Sequence, residues 1–132
     1  MPALREELKR PPFHEVLRPK ALDVDPDNAT VRIGLDYREE FARAPNERSF
    51  HGGVIATLID IAGHAAVSIN IGKMAPTIDL RIDYSRPSAG ENLVASARLL
   101  QLGATLARVD VEVADTKGRL IAVGRGSFST GR

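Results

Sequence analysis

The sequence predicts an α+β fold in which one long central helix is wrapped by a curved antiparallel β-sheet. Three observations carry this. Residues 51–70 are apolar for roughly five helical turns and hold a single carboxylate, Asp60. A run that long and that apolar reads as a buried helix rather than a strand. The remaining runs alternate apolar and polar side chains with period two, as expected of antiparallel strands covered on one face. The order is two strands, the helix, then four strands, and a single helix laid across a curled sheet is the simplest packing.

The elements follow in order. Residues 4–9 can form a short helix, which Pro11-Pro12 ends by removing a donor and restricting the residue before it. Phe13, Val16 and Leu17 form a further turn expected to pack as a lid. Residues 21–24 make a short strand, and Asp25-Pro26-Asp27-Asn28 is turn chemistry. Val31, Ile33 and Leu35 then alternate with Thr30, Arg32 and Gly34, completing a hairpin. Residues 36–49 are polar, contain Pro45-Asn46, and read as a loop feeding the helix. Gly72 closes the helix in the usual glycine position.

Four strand runs come next. Ile78, Leu80, Ile82 and Tyr84 alternate with Thr77, Asp79, Arg81 and Asp83; a turn spans 87–91. Leu93, Ala95, Ala97 and Leu99 alternate, and Gly103 marks a tight reversal. Ala107, Val109, Val111 and Val113 alternate, and Asp115-Thr116-Lys117-Gly118 is a hairpin turn. Residues 120–128 form the last strand, loosened by Gly124 and Gly126. Short connections make a meander the expectation for these four strands.

The chain has 132 residues, enough for one domain with a real core. It reads as a single domain over 1–132, with 1–20 as an N-terminal helical or lid segment. The net charge of +1 gives no argument for nucleic acid or a membrane surface as partner. Cysteine is absent, which removes disulfides, thiolate zinc sites and a cysteine nucleophile together. Met1 to Lys9 is charged and lacks an apolar core of signal-peptide length. The polar residues that interrupt the helix make it a poor membrane span. The expectation is a soluble cytoplasmic protein.

Inside the helix, Thr57, Asp60, His64 and Ser68 are spaced three, four and four apart and so share one face. A solvated stripe of this length normally carries Lys, Glu or Gln, so a face turned to a crevice or a subunit interface fits better. Asp60 is the residue of interest, because a carboxylate on an apolar helix is costly unless paired or used. His51-Gly52-Gly53 opens the helix. Glycines there let a ligand approach free backbone donors, and those donors with the helix dipole can hold a developing oxyanion. His14, His51 and His64 show no i, i+4 pair, so no metal site is expected. No G-x-S-x-G and no dinucleotide fingerprint is present.

Gly52 and Asp60 are eight residues apart, about 12 Å along a straight helix. One carbonyl cannot sit within roughly 3 Å of both. If the two cooperate, the carbonyl held at one helix start must meet Asp60 of a second chain, and a two-fold dimer would contain two such sites.

At this point H-G-G-x-x-x-x-L-x-D, here residues 51–60, the run 77–87 (TIDLRIDYSRP) and the closing 118–126 (GRLIAVGRG) resemble the hotdog-fold acyl-CoA thioesterases of the phenylacetate-degradation type. The resemblance covers about residues 40–128. It implies a helix wrapped in a curved antiparallel sheet, paired into homodimers and usually homotetramers. It also implies hydrolysis of an acyl-CoA thioester to free acid and CoA, with no metal and no cofactor. By resemblance Asp60 is the nucleophile or general base, and Gly52 gives its backbone N–H to the thioester carbonyl. Asn46 corresponds to an amide that helps hold that carbonyl or the water, although after Pro45 it also reads as a turn residue. Thr77 falls where relatives carry a hydroxyl that positions water. Strict alternation puts it on the polar strand face, so it reaches the site only if the strand start is bent. His51 and Gly53 belong to the substrate-binding helix start. Tyr84 and the turn of Gln101, Leu102, Gly103, Ala104, Thr105 and Leu106 fall where relatives line the CoA or acyl channel. The competing readings are a non-catalytic acyl-CoA binder on the same fold and an acyl-CoA hydratase. His64, on the same helix as Asp60, reads as structural.

Overall fold

The computed structural model describes residues 1–131. Helix α1 (Pro2–Lys9) and a single turn, α2 (His14–Leu17), precede strand β1 (Lys20–Asp25). Asp25 caps a 3₁₀ turn at Pro26–Asn28, and β2 (Thr30–Leu35) returns against β1 as the expected hairpin. After a second 3₁₀ turn (Glu39–Phe41) comes the long helix α3 (Gly52–Ile71), then β3 (Thr77–Tyr84), β4 (Leu93–Leu102), β5 (Leu106–Asp115) and β6 (Leu120–Ser129).

All six strands form one antiparallel sheet in the order β1-β2-β4-β5-β6-β3. The expected four-strand meander is therefore corrected. β4, β5 and β6 do follow one another, but β4 pairs with β2, and β3 lies at the opposite edge, against β6. The physical reason is the connection over 85–92. It is not a tight turn but a crossing over the start of α3, where the Phe50 N–H donates to Ser88 Oγ at 2.8 Å. Gly90 on this crossing has φ +72°, and a Cβ there would sit 2.2 Å from Arg48 Cγ, so only glycine fits.

α3 rests on β2, β4, β5, β6 and β3, which is the wrapping that the apolar run required. Ile55, Leu58, Ile59, Ala62, Ala65, Ala66 and Val67 are buried against Ile33, Leu93, Val109, Val111, Val113 and Ile121. Two glycines let the helix sit low on the sheet. A Cβ on Gly63 would come 2.8 Å from Phe128 Cζ, and one on Gly124 2.6 Å from Ile59 Cγ2. Gly124 is thus a close-packing position rather than a loosening of β6. α3 is long and apolar enough to cross a bilayer; here that apolar surface is used as core.

The expected turn over residues 13–17 is present, and of its three apolar side chains Leu17 alone is packed. Leu4, Leu8 and Leu17 are buried in the same core, while Phe13 and Val16 are 53% and 61% exposed. A four-residue helix has one side to bury, and Leu17 takes it.

Candidate active site

The start of α3 is built by its own sequence. His51 is the N-cap, and its Nδ1 accepts the Gly53 N–H at 2.8 Å. A side chain at Gly53 would crowd that ring, since a Cβ would lie 3.0 Å from Nδ1. Val54 and Ile55 donate to the His51 carbonyl. The Gly52 N–H has no acceptor among the described residues, so it is the first free donor of the helix, aligned with the positive end of the dipole. Tyr84, the last residue of β3, donates its hydroxyl to the Gly52 carbonyl at 2.7 Å. A groove of about 520 Å³ opens here, walled by Phe50, Gly52, Ile55, Tyr84 and Arg86.

Asp60 lies two turns further along α3, half-buried. Thr77 Oγ1 donates to its Oδ1 at 2.6 Å. This contact depends on an irregularity at the start of β3. Thr77 pairs with Phe128 and Asp79 with Ser127, leaving Ile78 out of the ladder as a bulge. The extra residue bends the strand start and re-aims Thr77 toward the helix, which is the condition that alternation set for it. β3 then runs antiparallel to α3, carrying Thr77 beside Asp60 and Tyr84 beside Gly52.

The turn after β4 stands at the Thr77 end. The Gly103 N–H donates to the Leu106 carbonyl at 2.8 Å, Thr130 N–H to the Thr105 carbonyl at 3.1 Å, and Ser129 N–H to the Pro76 carbonyl at 2.8 Å. Gln101, Leu102, Ala104 and Thr105 are exposed there. The site residues thus fall into two groups in one chain: His51, Gly52, Gly53 and Tyr84 at the helix start, and Asp60, Thr77 and the 101–106 turn further along. The helix between Gly52 and Asp60 is unbroken, so about 12 Å separates the groups.

Asn46 joins neither. It has φ +59° behind Pro45, and Glu47 N–H donates back to the Ala44 carbonyl. Proline then asparagine at the two central positions is the type II pattern, where asparagine tolerates the left-handed conformation. Its side chain is exposed and makes no hydrogen bond among the described residues.

His64 is engaged away from Asp60. Its Nε2 accepts the Ala75 N–H at 3.2 Å, so that nitrogen is unprotonated and the ring hydrogen is on Nδ1, 3.4 Å from Glu7 Oε2. Burial pushes the His64 pKa below the ordinary histidine value; the carboxylates of Glu7 and Asp60 oppose this, while His14 and Arg10 add to it. An Asp/His pair of the kind a hydratase uses is therefore not formed by Asp60 and His64. Glu7, only 3% exposed, was not singled out from the sequence. The signal was there: Leu4, Glu7 and Leu8 share one face of α1 at i, i+3 and i+4.

A second depression, of about 590 Å³, lies on the outer face of the sheet around Arg81, Arg98, Asp110 and Arg125. Its central charges are spent on each other, since Arg125 donates to both Asp110 oxygens at 2.6 and 2.8 Å. The helix start and Asp60 keep unspent donors and acceptors, which is what chemistry requires.

A model of the thioesterase superfamily matches residues 49–122, a span that contains Gly52, Asp60, Thr77 and Tyr84. The medium/long-chain acyl-CoA thioesterase YigI of Escherichia coli is 33% identical, across 80% of this chain and 86% of YigI. Among solved structures, a protein from the thioesterase superfamily superposes with a TM-score of 0.89 at 32% identity over 98% of each chain. The E. coli PaaI protein from the phenylacetic acid degradation operon superposes with a TM-score of 0.84 over 97% of this chain and 90% of PaaI. At 20% identity that likeness concerns the fold.

Proposed function

The chain belongs to the thioesterase superfamily, and from that premise we propose that it hydrolyses acyl-CoA thioesters to a free acid and CoA, with Asp60 as the reacting carboxylate. The observation that carries this reading is the Thr77–Asp60 hydrogen bond. It fixes one carboxylate oxygen and leaves Oδ2 without a partner among the described residues. That oxygen takes a proton from water as the water oxygen attacks the thioester carbon and later passes it to the leaving sulfur, or it attacks that carbon itself to give a mixed anhydride that water hydrolyses to the acid, regenerating Asp60 and supplying the proton. The C–S bond then breaks, and the leaving sulfur takes up a proton as CoA thiol. The developing oxyanion is held by the free Gly52 N–H.

Because one chain keeps Gly52 and Asp60 about 12 Å apart, the complete site takes Gly52 from one protomer and Asp60 from its partner. The surface for such pairing is the exposed flank made by the first half of α3 and by β3. β3 is an edge strand, with Ile78 57% and Tyr84 51% exposed. An unpaired edge that exposes Ile78 and Tyr84 among charged neighbours, beside a half-buried helix, is a surface that proteins normally cover. Two such sites per homodimer follow from the symmetry, and a homotetramer would pair these dimers again.

The test is thiol release from a panel of acyl-CoAs, from short aliphatic to bulky aromatic chains. The wild-type protein releases thiol from at least one. Asp60→Asn, nearly isosteric, loses activity by about 100-fold or more, the scale of removing an acid–base group, with unchanged melting. Full activity in folded Asp60→Asn removes Asp60 from the mechanism.

A further inference from the structure

We propose that Glu7 and His64 are positioning residues that hold Thr77 against Asp60, which makes the N-terminal helix a support of the site. The inference rests on the thioesterase reading above. The connection over 72–76, between α3 and β3, is fastened at two points by α3 itself. The Ser68 hydroxyl lies 2.8 Å from the Lys73 carbonyl, to which it donates in a hydrogen bond shared with a second acceptor, and the Ala75 N–H donates to His64 Nε2 at 3.2 Å. Ala75 is fully buried, and Thr77 follows two residues later.

Both fasteners converge on one carboxylate. Glu7 Oε2 lies 3.4 Å from His64 Nδ1, and Oε1 lies 3.0 Å from the Ser68 hydroxyl, whose one hydrogen is shared between Oε1 and the Lys73 carbonyl. Arg10, 3.5 Å from Oε1, offsets the charge from the solvent side. A carboxylate 3% exposed, on the otherwise apolar face of Leu4 and Leu8, is costly unless its partners are fixed in return. The strand ladder cannot do this work alone, because the bulge at Ile78 interrupts it next to Thr77. The Pro76 carbonyl is held from the other side by the Ser129 N–H. With Ala75 released, Thr77 loses the anchor on its helix side and Asp60 its orientation. Misplacement of a reacting group by about 1 Å costs up to about 100-fold in rate.

The experiment measures steady-state thiol release from octanoyl-CoA, or the best acyl-CoA of the panel, by the full chain. His64→Leu removes both contacts of the ring. His64→Gln keeps an oxygen near the place of Nε2 to accept the Ala75 N–H. His64→Leu is expected to lower kcat by about 10- to 100-fold with KM within about twofold, while His64→Gln recovers most of kcat. Amide exchange at Ala75 and Thr77 is expected to speed up in His64→Leu and to return toward wild type in His64→Gln. Wild-type kcat in His64→Leu, or an equal loss in folded His64→Gln, overturns the proposal. If His64→Leu does not fold, Ser68→Ala decides: it frees the Lys73 carbonyl with little volume lost, and an unchanged kcat overturns the proposal as well. Absence of thiol release by the wild type sinks the thioesterase reading and this role with it. Release by the wild type with an indifferent His64 sinks this role alone.

Discussion

In the proposed mechanism Gly52 acts through its backbone N–H alone, which makes the donor separable from the shape of the residue. Proline is accepted at the first position of a helix, and His51, at φ −59° and ψ 136°, already has the extended conformation required before proline. Gly52→Pro therefore deletes the N–H while leaving the helix start in place. Thiol release is expected to fall about 100- to 1,000-fold, the scale of an oxyanion donor, with circular dichroism and melting near wild type. Gly52→Ala keeps the donor, and its Cβ would meet Tyr84 at 3.5 Å, an ordinary contact, so it loses much less. Equal activity in the proline variant would take the amide out of the chemistry. Single residues were unequally legible. The stripe through Asp60 and the glycine pair stand out because they break an apolar run. Thr77 could be placed only conditionally, because a bulge is a matter of how two strands pair and has no local signature. The turn at Asn46 was written in Pro45-Asn46, and the structure gives it that conformation.

At the scale of elements, α1 and α3 meet through Glu7, His64 and Ser68, and this contact has an acid sensitivity with a definite sign. The groups facing His64 are Glu7 on α1, Asp60 on α3, His14 on α2 and Arg10 beyond α1; burial outweighs the two carboxylates and leaves the folded pKa below the unfolded one. Between those two values the unfolded chain binds more protons, so stability rises with pH. The contribution is fully present above about pH 6.5, the ordinary histidine value, and is lost as pH falls through the folded pKa. Melting temperature should drop between about pH 7.5 and pH 5, and the drop should be shallower in His64→Gln. A wild-type melting temperature that is flat over that window contradicts the sign. Periodicity made α3 and the strands β2 to β5 readable, while β1 and β6 were read as short runs beside clear turns. The partner of β3 was not readable. Ile78 and Tyr84 alternate as if for a core, yet β3 is an edge, because residues 85–92 carry the chain across the helix start instead of turning back. No residue in that stretch states how far it must travel.

At the scale of the whole molecule, the two half-sites invite a test of where the site is assembled. Gly52→Pro and Asp60→Asn each remove one half. If the site is shared, a mixed dimer of the two variants holds one intact site and one doubly damaged site. Random re-pairing then restores about a quarter of wild-type activity, since half of the dimers are mixed and each has half its sites. Re-paired mixtures that stay as inactive as their parents would place both groups in one protomer. The wrapped helix was legible as a whole because nothing else in the chain could cover it; the proposed pairing of copies rests on a distance that one helix cannot close.

The strand order carries a consequence in time as well as in space. β3 leaves the ribosome early but finds its neighbour only in β6, so the hydroxyl meant for Asp60 has no seat until the final stretch of translation has emerged. A chain that ended before Phe128 would lack the strand partner of Thr77, and in the proposed mechanism Asp60 would then lack the contact that orients it.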